Sequence, residues 1–79
     1  MIANRVQVGL TAVFEPAGEG GFTCYFEELP EVFSEGDTLE EARINLFDAL
    51  QEVLAYHREA ARTRAVAGAL RETLQLASV

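Results

Sequence analysis

Three carboxylates, Asp37, Glu40 and Glu41, crowd together in the middle of the chain. Convergent carboxylates are what a two-metal nuclease uses to hold its Mg²⁺ ions. Such ligands come from different elements, however, and these three stand at one helix start, where capping and the helix dipole account for them. His57 falls on an apolar stripe with no Ser or Cys partner and reads as a core or helix-end histidine. Cys24 alternates with Phe22 and Phe26 and reads as a small buried hydrophobe. One Cys and one His fall short of the four ligands of a structural zinc site. No catalytic, cofactor-binding or metal-ligating residue is therefore assigned, and the chain is expected not to be an enzyme. Glu27, Glu28, Glu31 and Glu35 read as solvated charge, or as an acidic rim that meets a basic partner.

The elements that must carry these residues follow from hydrophobic spacing. Val6, Val8, Leu10, Ala12 and Phe14 alternate with Gln7, Gly9, Thr11, Val13 and Glu15, which predicts a half-buried strand over Val6–Glu15. The stretch Pro16 to Gly21 turns the chain, and Phe22–Glu27 predicts the partner of an antiparallel hairpin. Leu29-Pro30 is expected to end that strand, because proline donates nothing to a ladder. Val32-Phe33-Ser34 predicts a third strand, and Gly36 frees the backbone for a tight entry into a helix.

Thr38-Leu39-Glu40-Glu41 is a capping box, in which Thr38 accepts from the amide of Glu41 and Glu41 reaches back to the amide of Thr38. Leu39, Ala42, Leu46, Ala49, Leu50, Val53 and His57 then form one helical stripe, predicted to run to about Ala60–Arg62. After a connector at 63–68, alternation of Leu70, Glu72, Leu74 and Leu76 predicts a closing strand over Ala69–Ala77, with a helical continuation as the competing reading. The expected fold is α+β: a small antiparallel sheet of order β-β-β-α-β, one long helix on one face, and a single domain over 1–79. Ile44, Phe47 and Leu54 lie off the stripe, roughly 80° or more around the helical wheel. They are the candidate partner or oligomer interface, although core widening accounts equally for Phe47 and Leu54.

Composition limits the partners. The chain has 13 acidic residues against 6 basic ones, a formal charge of -7, which disfavours direct contact with nucleic acid or anionic lipid. This balance either favours a basic partner or, equally on charge alone, serves only to keep a small protein soluble. No apolar run approaches the roughly 20 residues of a membrane span, and the N-terminus lacks the pattern of a signal peptide. A cytoplasmic location is expected, with Cys24 a free thiol.

The pieces Gly20-Gly21-Phe22-Thr23-Cys24-Tyr25, Glu28-Leu29-Pro30, Gly36 to Ala42, Asn45-Leu46 and Ala49-Leu50 resemble, in order and spacing, the HicB-family antitoxins. The resemblance runs from about Leu10 to Leu54. It implies a partial ribonuclease-H-like fold of three strands, a helix and a further strand. It also implies a partner: a small basic RNA-cleaving toxin of the HicA type, whose active face the antitoxin covers. Position 31 is Glu where the family most often has Gly, so the local turn is expected to differ. Residues after Arg62 offer no basic cluster and no room for an operator-binding module, so the chain is expected not to bind DNA by itself. A stand-alone oligomeric structural or regulatory protein of the same fold, without a toxin, is the alternative. A core this small, with no disulfide or metal, also predicts self-association, a dimer or tetramer held through the helix surface or an open strand edge.

Overall fold

The computed structural model describes residues 9–64 and 66–73. Three antiparallel strands in the order β1-β2-β3, β1 (Ala12–Pro16), β2 (Phe22–Phe26) and β3 (Leu29–Gly36), precede one long helix, α1 (Leu39–Arg62). The fold is α+β, as the spacing of the apolar residues predicts. β1 is shorter than expected: residues 9–11 carry no strand, and Val6–Val8 lie outside the described residues. Of the closing strand expected over Ala69–Ala77, residues 69–73 have no regular structure, and 74–77 lie outside the described residues.

The β1–β2 loop spans 17–21 and closes through the Ala17 amide on the Gly21 carbonyl (3.0 Å) and the Gly20 amide on the Ala17 carbonyl (3.1 Å). The next turn departs from the sequence expectation. Pro30 does not end β2, which stops at Phe26, but sits inside β3. Phe26 pairs with Leu29 and the neighbouring Tyr25 pairs with Phe33, so Pro30, Glu31 and Val32 form a bulge. An edge strand with a bulge is where a residue lacking an N–H costs least. Glu31 occupies this bulge without a left-handed backbone: among the described residues only glycines have positive φ.

The core lies between one sheet face and α1. It comprises Cys24, Phe26, Val32, Ala42 and Leu46, with Ala12, Phe14, Phe22, Leu29, Ala49, Leu50 and Val53 packed around them. The helix sits mainly over β3 and less over β2. Its first turn comes down so closely that a Cβ on Gly36 would stand 2.4 Å from the Ala42 nitrogen. Gly36 is therefore required by the approach of two backbones, and not by a left-handed turn. Gly21, at φ 79°, completes the junction: a Cβ there would meet the Gly36 carbonyl oxygen at 2.7 Å. Cys24 Sγ donates to the Ala42 carbonyl at 3.4 Å, and Asn45 Nδ2 to the Glu35 carbonyl at 2.8 Å, tying the helix to the middle and one edge of the sheet.

The cap is present with one change of partner. The Glu41 amide donates to Thr38 Oγ1 (3.0 Å) as expected, but the Glu41 carboxylate accepts from the amide of Asp37 (2.7 Å), one residue before Thr38. The far end of the stripe is also corrected. Ala42 and Leu46 are buried and Ala49, Leu50 and Val53 half-buried, whereas Leu39 and His57 are exposed. A helix of 24 residues spans about 36 Å at about 1.5 Å per residue, and a strand of 8 residues about 27 Å, so the last turns of α1 outrun the sheet.

Gly36→Ala should destabilise the fold by about 1–3 kcal/mol, because neither backbone can yield to the added methyl. Gly18→Ala, with open space around it, should change stability by less than about 0.5 kcal/mol. Urea denaturation of the two variants checks the junction, and equal midpoints would contradict it.

Candidate interaction surface

Among the described residues, no three His, Cys, Asp or Glu side chains come together as a metal site. Asp37 and Glu41 line an open hollow with Glu19, Glu35 and Asn45, but the Glu41 carboxylate is spent on the Asp37 amide. Glu40 turns away to pair with Arg43 at 2.7 Å. His57 packs edge-on to Tyr56, with ring centroids 5.5 Å apart, in the exposed part of the helix. Cys24 is buried and free, and burial raises its thiol pKa above the ordinary value. The thiolate is thus disfavoured at neutral pH, the reverse of what a nucleophile needs.

The solvent-facing apolar side chains fall into two sets. The helix set contains the residues that the sequence singles out. Ile44 is 53% exposed, Phe47 55% and Leu54 40%, and none of them is among the buried or half-buried residues of the core. Phe47 and Leu54 share a flank of α1, and Ile44 lies further round. This flank overhangs β1, as the Arg43 guanidinium 5.7 Å from the Phe14 ring centroid shows.

The second set lies on the sheet face away from α1. Register places Val13, Tyr25 and Phe33 in one row across the three strands, and Glu15, Thr23 and Glu35 in the next. Cys24, Phe26 and Phe14 point to the core, so strand alternation directs both rows to the side away from α1, which no described residue covers. Val13 and Tyr25 are half-buried by their neighbours, while Phe33 is 69% exposed. Sequence reasoning noted Val13 as off-phase in its strand but assigned Tyr25 and Phe33 no role. The signal was there: each strand carries one apolar residue out of phase with its core face, and the three align.

Charge divides along the same line. Nine of the 13 acidic residues and no Lys or Arg lie between Val6 and Ala42, whereas from Arg43 to Val79 four acids accompany five arginines. Between Ala12 and Gly36 the strands and their loops carry six acids and no cation, whereas α1 mixes five acids with three arginines. One of these acids has a structural task. Glu28 accepts from both the amide and the hydroxyl of Thr11, each at 2.7 Å, clamping the approach to β1 onto the β2–β3 turn.

The chain can be compared with known proteins on this footing. It is 34% identical over 65 residues to the UPF0150 protein ssl0738 of Synechocystis sp. (strain ATCC 27184 / PCC 6803 / Kazusa), an alignment covering 82% of this chain and 90% of that protein. The chain belongs to the UPF0150 family. No family model matches it, and no solved structure matches it significantly. The alignment extends well beyond the hairpin and helix junction, so this UPF0150 protein shares most of the chain and not one motif alone. Among the described residues no helix is long and apolar enough to cross a membrane.

The Thr11 clamp predicts an acid response. Its hydrogen bonds hold the Glu28 carboxyl below the ordinary glutamate range, so the stability it supplies is present above that range and lost as pH falls through the lowered value. In an NMR titration the Thr11 amide should shift with Glu28 protonation, and Glu28→Gln should abolish the shift. A Thr11 amide indifferent to acid would contradict the clamp.

Proposed function

We propose that this UPF0150 chain is an antitoxin of the HicB type, which binds a small basic RNA-cleaving toxin and blocks its active face. The observation that carries the reading is the surface: exposed aromatic and aliphatic side chains set among strands and loops that hold six acids and no cation between Ala12 and Gly36. Such a field speeds encounter with a basic protein, and the apolar side chains then hold it. The first four elements of the fold that the HicB resemblance implies, three strands and a helix, agree with the element order found here, while its further strand has no counterpart among the described residues. On this reading the chain performs no chemistry, needs no cofactor and acts in the cytoplasm, where its partner's RNA substrates are.

The reading includes self-association. Five buried apolar residues among the described ones are a small core for a chain without a disulfide. The helix set of Ile44, Phe47 and Leu54, on an element that mixes arginines with its acids, is a surface on which two copies meet with less repulsion than across the sheet face. Sedimentation at micromolar concentration should give a dimer or tetramer, shifted toward monomer by Ile44→Glu. The melting temperature should rise with protein concentration. A single species near 8.7 kDa with a concentration-independent melt would contradict this.

The antitoxin role is tested by isolating the binding partner from the host and assaying it on RNA. The partner alone should cleave RNA, and stoichiometric addition of this chain should stop it. A partner without such activity, or cleavage unaffected by the chain, would favour the stand-alone regulatory reading.

A further inference from the structure

We infer that the uncovered sheet face, centred on Val13, Tyr25 and Phe33 and edged by Glu15 and Glu35, is the docking surface for a basic protein partner. This rests on the binding reading above and adds the location and the chemistry of recognition. The geometry supplies an apolar centre with an acidic border: the Val13–Tyr25–Phe33 row runs across all three strands, and the Glu15–Thr23–Glu35 row lies directly beside it. A shallow hollow between Tyr25, Phe33 and Thr23 gives an incoming side chain a seat.

Charge selects among the occupants of such a face. In a two-fold contact each copy presents the same patch to the other, so a second copy would oppose carboxylates with carboxylates. Single-stranded nucleic acid stacks on aromatic side chains, and Tyr25 and Phe33 are a pair of these, but its phosphates need cations nearby. No Lys or Arg occurs between Ala12 and Gly36 to supply them. A protein surface that sets an aliphatic or aromatic anchor between Lys and Arg residues matches both rows at once.

The experiment uses the full ¹⁵N-labelled chain and a synthetic peptide alternating Lys with Leu and Phe. Oligolysine of equal charge and oligouridine serve as comparison probes. The alternating peptide should shift the amides of Val13, Tyr25 and Phe33 and bind tighter than oligolysine, with oligouridine inert. Phe33 is exposed, so Phe33→Ser should leave the fold intact while weakening peptide binding at least about tenfold. Glu15→Lys/Glu35→Lys should weaken it further at low salt and flatten its salt dependence. Shifts centred on Ile44, Phe47 and Leu54, or full affinity in both variants, would overturn the assignment of this face. Failure of the antitoxin reading is separable: peptide binding at the sheet face, with an isolated partner that does not cleave RNA, retains the surface and discards the toxin. An RNA-cleaving partner whose binding is untouched by the sheet variants and lost on Phe47→Ser retains the toxin and discards the surface.

Discussion

The seating of one helix turn on two glycines governs the rest of this molecule. Because Gly36 and Gly21 lack Cβ atoms, the backbone of Ala42 reaches the end of β3, and Cys24 and Val32 become buried beneath Ala42 and Leu46. Contact this close sets the height and direction of α1 over β3 and β2. Everything left exposed is a consequence. The helix outruns the sheet, so its last two turns bring Tyr56 and His57 into solvent. A single helix also covers only one face, so Val13, Tyr25 and Phe33 have nothing above them among the described residues.

The residues that resemble HicB antitoxins act chiefly at this junction. Gly21 and Gly36 permit the approach, Thr38 and Glu41 start the helix, Asn45 ties it to the Glu35 carbonyl, and Pro30 occupies the bulge that realigns β3. Such a pattern encodes how the chain folds, and says little about what it binds. Recognition has to come from side chains that the fold does not require. Those on the sheet face are acidic around an apolar row, and those on the helix flank are apolar among mixed acids and arginines. On the proposed reading, the basic partner and a second copy of the chain meet separate surfaces.

Much of the architecture was legible in the spacing of residues. Phe22, Cys24 and Phe26 mark β2 through strict alternation, and the Thr38 cap with the Ala42–Leu46–Leu50–Val53 stripe marks α1 through to Arg62. What failed to show has physical causes. Pro30 reads as a terminator because a local rule cannot see that β3 is an edge strand with a bulge. Glu41 passes over the Thr38 amide for that of Asp37, a choice made by loop geometry. His57 continues the stripe in phase, but no sheet lies beneath it. Phase set Ile44 apart from the core, whereas Phe47 and Leu54 read equally as core widening, which their exposure excludes. Tyr25 and Phe33 are likewise out of phase with their core faces, but only the strand register shows that they align with Val13 in one row.

Hydroxyl-radical footprinting of the chain, free and bound to its isolated basic partner, tests the central claim most directly, since it reads aromatic side chains on both surfaces in one sample. Tyr25 and Phe33 should become protected in the complex, while Tyr56 and Phe47 should react as they do in the free protein at equal concentration. Protection of Phe47 and Tyr56 on partner binding, with Tyr25 and Phe33 still fully reactive, would contradict the account.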